Sequence, residues 1–236
     1  MKTYLLFLQF GIYMLGSVFK KSKIEKLRRE GKDKEADEFL KDIYLKWADY
    51  IIKKVGIRIN IKGEENLPKE GALYVANHQS LFDIPVLVAA TKVPMGFIAK
   101  KELEKTKLIS GWMKEVNCIF MDRENVRESL KSINEGVEVL KRGYSLSIFP
   151  EGTRTKTGEL LEFKKGSMKL GTKAGVPIVP ITIDGTIKIR EGNESKKIRG
   201  AEVNVVIHKP IDPKELDRES LNNLSEIVKD TIAKGF

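Results

Sequence analysis

The chain holds two histidines, and one of them sits where an acid–base pair could form. In the run N-H-Q-S-L-F-D, residues 77–83, His78 stands five residues before Asp83. Five residues do not share a face of one helix. The spacing makes sense if His78 ends a strand or lies in the loop after it, with Ser80 capping the next helix and Asp83 in its first turn. The carboxylate could then fold back on the imidazole, fix its tautomer and stabilise its cation. An imidazole titrates near neutrality, so it could take a proton from an attacking alcohol. The plainer alternative is a structural histidine beside a helix start. His208 ends a strand just before K-P and reads as a surface residue.

Three further blocks carry anion-binding chemistry. In I-F-M-D-R, residues 119–123, Arg123 follows a strand candidate, at the kind of strand end where α/β sheets bind ligands. A guanidinium there could grip phosphate with two N–H groups, or pair with Asp122 or Glu124. In F-P-E-G-T-R, residues 149–154, Gly152 permits a tight turn, Arg154 is a second phosphate donor, and Glu151 could orient a hydroxyl or a base. An ordinary strand-to-loop turn is the alternative. In F-K-K-G-S, residues 163–167, Lys164 and the backbone N–H groups of a helix start would attract an anion. The single cysteine, Cys118, excludes an internal disulfide and reads as a packed thiol in a strand. No Cys-His metal cluster is present.

The elements that must position these residues begin at residue 56. Strand candidates fall at 57–61, 72–76, 96–99, 118–121, 145–149, 178–183 and 203–207, with helical patterns at 81–90, 127–141, 167–174 and 213–234. Alternation of the two predicts an α/β domain over residues 56–236, with a mixed, mostly parallel sheet flanked by helices. The proline inside I-V-P-I-T-I, residues 178–183, marks an edge, a bulge or a strand start.

Residues 1–55 read differently. Residues 4–19 are uncharged and mostly apolar, with Leu5, Leu6, Phe7, Leu8, Phe10, Ile12, Tyr13, Leu15 and Phe19 as candidate membrane contacts. Their helix would reach about 24 Å, short of the ~30 Å hydrocarbon core. Three readings compete: a signal peptide, a spanning helix, and a helix set into one leaflet with Lys20, Lys21 and Lys23 at the headgroups. The last fits the length best, and the lysines favour a cytoplasmic face for the remainder of the chain. A second helix over 33–55 places Phe39, Leu40, Ile43, Tyr44, Trp47, Tyr50 and Ile51 at helical spacing, with Trp47 a further interface contact. Together they predict an N-terminal two-helix membrane-docking appendage.

The bulk numbers agree. With 41% hydrophobic and 32% charged residues, the chain has a core to bury. The net charge is +10, and residues 1–58 alone carry 14 Lys/Arg against 8 Asp/Glu, beside the most apolar segment. That juxtaposition favours an anionic membrane surface over nucleic acid, for which there is no zinc-finger spacing or basic run laced with aromatics.

Taken in order, N-H-x4-D, F-x-D-R, F-P-E-G-T-R and V-P-I-V-P-I (residues 176–181) resemble the four motifs of the glycerophospholipid acyltransferases, over about residues 60–210. The likeness is greatest to the bacterial 1-acylglycerol-3-phosphate (lysophosphatidic acid) acyltransferases. The resemblance implies a base at His78, its partner at Asp83, and acceptor phosphate held by Arg123 and by the block Glu151, Gly152, Thr153 and Arg154. It implies that residues 176–181 support an acyl-chain site. It also implies an acyl carrier protein or acyl-CoA donor, no metal, no cofactor and no acyl-enzyme, at the cytoplasmic face of an inner or plasma membrane. A glycerol-3-phosphate or other lysophospholipid acceptor, a non-catalytic lipid-binding protein and a phosphatase are the rival readings.

Overall fold

The computed structural model describes residues 3–122, 125–193 and 195–236. Two long helices open the chain, α1 (Thr3–Arg29) and α2 (Asp33–Val55). Lys32 and Gly31, the latter with φ of 73°, turn the chain between them. After them come β1 (Arg58–Lys62), β2 (Leu73–Ala76), α3 (Asp83–Thr91), β3 (Met95–Lys100), α4 (Lys107–Glu115), β4 (Ile119–Met121), α5 (Val126–Lys141), β5 (Ser145–Ile148), α6 (Lys169–Ala174), β6 (Ile178–Asp184), β7 (Glu202–Ile207), α7 (Arg218–Asn222) and α8 (Leu224–Ala233).

The strands form one sheet in the order β1-β7-β6-β2-β5-β3-β4. Every pairing is parallel except β6 with β7, so β1 and β7 together run against the other five. Strand side chains alternate between two cores. Tyr74 and Ala76 of β2, with Ala72 just before it, join the apolar faces of α2 and α3. Leu73 and Val75 join α5, α6 and α8. Both faces are therefore covered, which is why the strands read as short, nearly unbroken apolar runs. The mixed, mostly parallel sheet predicted from the sequence is the one observed.

Pro180 sits inside central β6, opposite Val75. Its carbonyl accepts from the His208 N–H just past the end of β7, and pairing resumes at Ile178 with Ile211, one residue out of step, so the missing proline N–H falls beside a bulge. His208 itself is not a surface residue. It is half-buried, its Nε2 lies 2.9 Å from Thr182 Oγ1, and Thr182 donates in turn to the Ile232 carbonyl, which ties the last helix to the sheet. Cys118 is a packed thiol. It is buried, accepts the Phe97 N–H, and burial pushes it up to about 12.

α1 runs ten residues past its apolar stretch and packs along α2. Tyr13 stacks on Tyr50 at 4.3 Å, Arg28 pairs with Asp37 at 2.9 Å, and Ile24 is buried with Leu40 and Ile43. The helix is long and apolar enough to cross a membrane by length and composition. Its outer face leaves Tyr4, Leu5, Phe7, Leu8, Ile12, Leu15, Val18 and Phe19 exposed. Leu6, expected among the membrane contacts, instead turns inward against the main core. Tyr13 is taken up by Tyr50, Phe10 is half-buried, and Trp47 stacks on Tyr44 at 5.5 Å against the same core. The helical stripe is wider than one environment can use: part faces the protein and part faces away.

Gly185, between β6 and the turn at Thr186–Ile189, has φ of 102°, and a Cβ there would lie 2.5 Å from the Glu202 carbonyl oxygen. Gly185→Ala should therefore cost about 2 kcal/mol or more in unfolding free energy. Denaturant titration checks this, and a loss under about 0.5 kcal/mol would mean the turn relaxes freely.

Candidate active site

His78 lies two residues beyond β2, on the rim where the five parallel strands end. The residues around it in the motif explain its placement. Asn77, nearly fully buried, pairs with β6 as a strand residue would: its side chain donates to the Ile183 carbonyl and accepts the Ile183 N–H, both at 2.8 Å. Gln79 Oε1 accepts the Gly185 N–H at 3.1 Å, and its amide reaches the Gly158 carbonyl. Asn77 and Gln79 thus anchor the chain, and His78 between them projects the other way. Its ring stacks on Phe149, at the end of β5, with centroids 4.0 Å apart.

Asp83 is fully buried and opens α3. Its Oδ2 receives the Gln79 N–H at 2.7 Å, the Ser80 N–H at 2.8 Å and His78 Nδ1 at 2.7 Å; its Oδ1 receives the Thr186 hydroxyl at 2.5 Å. A carboxylate so surrounded is acceptor only. Nδ1 therefore carries the proton, and Nε2 presents its lone pair to the half-open side of the site. Ser80 does not cap the helix. Its hydroxyl donates to Glu191 Oε2 at 2.5 Å, and the residue at the cap position is Phe82.

The F-P-E-G-T-R loop is fastened to His78 through the backbone. Glu151 Oε1 accepts the His78 N–H at 2.7 Å, Oε2 accepts the Leu161 N–H at 3.2 Å, and the His78 carbonyl accepts the Thr155 N–H at 2.9 Å. Burial pushes the Glu151 carboxyl above its ordinary range, and the two N–H bonds pull it back. Expected as a substrate contact, Glu151 spends both oxygens on the protein's own backbone. Gly152 has φ of 71°, and a Cβ there would meet the Lys164 Cε at 2.9 Å, so the lysine stem crosses directly over the loop. Thr153, Arg154 and the Lys164 side chain are exposed. Arg123 lies outside the described residues.

Two residues that no sequence pattern singles out complete the site. Thr186 supplies the fourth bond to Asp83. Glu191 binds Ser80 Oγ, the Leu81 N–H at 3.2 Å and Arg154 Nη1 at 2.6 Å. Both come from the turn after β6, more than 100 residues from the motif they hold, and nothing local marks them. Among the described residues no three His, Cys, Asp or Glu side chains could hold a metal ion. What the rim offers is an oriented base, a half-exposed guanidinium and a lysine.

The chain matches the Acyltransferase family over residues 58–184 and belongs to that family. Its relatives are more specific. A probable 1-acyl-sn-glycerol-3-phosphate acyltransferase of Mycoplasma pneumoniae is 34% identical over 194 residues, covering 76% of this chain and 73% of that protein. The 1-acyl-sn-glycerol-3-phosphate acyltransferase of Borreliella burgdorferi is 31% identical over 180 residues, 76% and 72% of the two chains. The crystal structure of the 1-acyl-sn-glycerophosphate (LPA) acyltransferase PlsC of Thermotoga maritima superposes with a TM-score of 0.80 at 29% identity, covering 98% of this chain and 95% of that one.

Glu191→Gln removes the charge that pins Arg154. Because Arg154 is 46% exposed, the effect should be modest: an apparent acceptor KM raised about fivefold, with kcat within about twofold. Steady-state kinetics at varied acceptor check it, and a fall confined to kcat would place Glu191 elsewhere in the reaction.

Proposed function

We propose that this chain transfers a fatty acyl group from a thioester, carried by acyl carrier protein or CoA, to the 2-hydroxyl of 1-acylglycerol-3-phosphate, giving phosphatidic acid. The observation that carries the reading is the 2.7 Å bond from His78 to the fully buried carboxylate of Asp83, beside an arginine on the same rim.

Nε2 of His78 takes the hydroxyl proton as the acceptor oxygen attacks the thioester carbonyl. Asp83 stabilises the imidazolium that forms. The tetrahedral intermediate collapses, the C–S bond breaks, and the imidazolium returns its proton to the departing thiolate. The stack on Phe149 restrains the ring, so the lone pair stays aimed through the cycle. Arg154, through the N–H groups it does not give to Glu191, and Lys164 across Gly152 hold the acceptor phosphate, assisted by Arg123 and Thr153. Fixing the phosphate places the hydroxyl, and positioning of this kind supplies several kcal/mol, up to about 7–11 in the most favourable systems.

The acceptor and product are membrane lipids, and the exposed face of α1 supports docking in one leaflet at the cytoplasmic face of the cell membrane. α2 lies alongside α1 and carries Asp42, Lys46 and Asp49. A spanning α1 would draw those charges into hydrocarbon, at about 2.5–3.5 kcal/mol each. A helix lying in the interface keeps them in water. Residues 1–55 act as the docking region and residues 56–236 as the catalytic unit.

His78→Ala should cut turnover by about a thousandfold or more without loss of helical signal. Asp83→Asn should lower kcat about a hundredfold or more with little change in acceptor KM; a defect confined to KM would remove its orienting role. Arg154→Ala should raise acceptor KM at least about tenfold, and unchanged acceptor kinetics would reassign it. Replacing Leu8, Ile12, Leu15 and Phe19 with Ser should abolish flotation with liposomes while the soluble fold is kept. Undiminished flotation would refute docking through α1.

A further inference from the structure

A second basic site lies apart from the residues proposed to bind the acceptor phosphate. Beside the N-terminal half of α1 opens a groove of about 400 Å³, lined by Leu6, Lys54, Val55, Lys197, Ile198, Arg199 and Gly200. Lys54, Lys197 and Arg199 are exposed, and among the described residues none of the three enters an ion pair and no carboxylate lines the groove. Lys54 lies 5.8 Å from the Tyr50 ring centroid, an aromatic contact that leaves its charge unneutralised. The floor is two strand entries drawn together: a Cβ on Gly200 would lie 2.5 Å from the Gly56 carbonyl oxygen.

Topology fixes which way the groove faces. β7 runs against β6, so the chain entering β7, and the parallel chain entering β1, come in at the rim where β6 and β2 end. That is the rim of His78. The Arg199 N–H donates to the Ile189 carbonyl, which joins the groove to the turn that carries Thr186 and Glu191. On that turn Arg190 sits 5.8 Å from the ring of Phe7, itself on the exposed face of α1. The groove thus has a cationic wall that no described carboxylate neutralises, an apolar wall from Leu6, and a side adjoining the face of α1 proposed to enter the leaflet.

We infer that this groove seats the phosphate headgroup of a non-reacting anionic glycerophospholipid, whose chains lie against α1 and whose binding sets the tilt of the catalytic rim on the membrane. The inference rests on the membrane reading of α1. The ligand class follows from the walls: three cations with no ion pair among the described residues call for an anion, and the adjoining apolar helix calls for one that carries alkyl chains. Reaction at this place is excluded by the lack of a base in the groove, so the lipid held there anchors rather than reacts.

The test uses the full chain and compares two variants of equal charge, Lys197→Gln/Arg199→Gln in the groove and Lys20→Gln/Lys23→Gln at the far end of the apolar face. Binding is measured to phosphatidylcholine vesicles and to the same vesicles doped with phosphatidylglycerol. On doped vesicles the groove pair should lose about a hundredfold in affinity and the far pair about tenfold or less. On neutral vesicles both should match the parent. Dihexanoyl-phosphatidylglycerol below its micelle concentration should give saturable amide shifts at residues 54 and 197–200, and inorganic phosphate should not. Equal losses for the two pairs would reduce the effect to diffuse attraction and overturn the site. Saturation by inorganic phosphate alone would make it a free-anion site and overturn the lipid. Failure of the parent chain to bind either vesicle, with the short-chain lipid still saturating the groove, would sink the membrane reading of α1 and leave the headgroup site standing.

Discussion

Everything at this active site depends on keeping one carboxylate charged where water does not reach. Asp83 has no exposed surface, and an ionised carboxylate moved from water to such a place loses several kcal/mol of solvation even after relaxation. Four donors replace the water: two backbone N–H groups, a hydroxyl and the imidazole. Each makes a demand on the fold. The N–H pair requires the turn at 79–80 to curl around the helix start. The hydroxyl requires Thr186 to return from the end of β6. The imidazole requires His78 to leave β2 between two anchored neighbours. A strand order that places β6 and β5 on either side of β2 meets all three at once.

The acids and bases of the site divide their work. Asp83, Glu151 and Glu191 direct their oxygens at the protein: at the imidazole, at backbone N–H groups, at Ser80 and at Arg154. The side chains of Arg154 and Lys164 are exposed, and Arg154 gives an N–H to Glu191. On the proposed function, this exposed positive charge is the complement of an anionic substrate and membrane. The surplus of 43 Lys/Arg over 33 Asp/Glu has that local meaning as well as its global one.

Much of the fold was legible because its signals are local. The helix over 33–55 coincides with α2, and the seven apolar runs are the seven strands. The His-Asp spacing carried the dyad because both residues belong to one strand-to-helix connection. α4 leaves little signal in the sequence because K-L-I-S-G-W-M-K-E breaks its apolar residues with Gly111 and flanking lysines. The C-terminal pattern over 213–234 is two helices rather than one, separated at Asn223, since Asp217 caps a short first piece before α8 restarts. Thr186 and Glu191 were invisible for a different reason. Their partners are set by strand order, and strand order leaves no trace in residue spacing. The reversal of β1 and β7 was hidden likewise.

The bonds that hold His78 reach across 73 residues to Glu151, and those that hold its neighbours reach across 106 and 107 to Ile183, Gly185 and Thr186. Contacts of such long sequence separation are among the last to form as a chain folds. During synthesis, therefore, the local His78–Asp83 pair lacks the Thr186 hydroxyl and the anchors of Asn77 and Gln79 until residue 186 has emerged and β6 has docked. A polypeptide stalled earlier, or one whose β6 has peeled away, holds the motif without the long-range bonds that align it, so alignment of the pair is coupled to completion of the sheet.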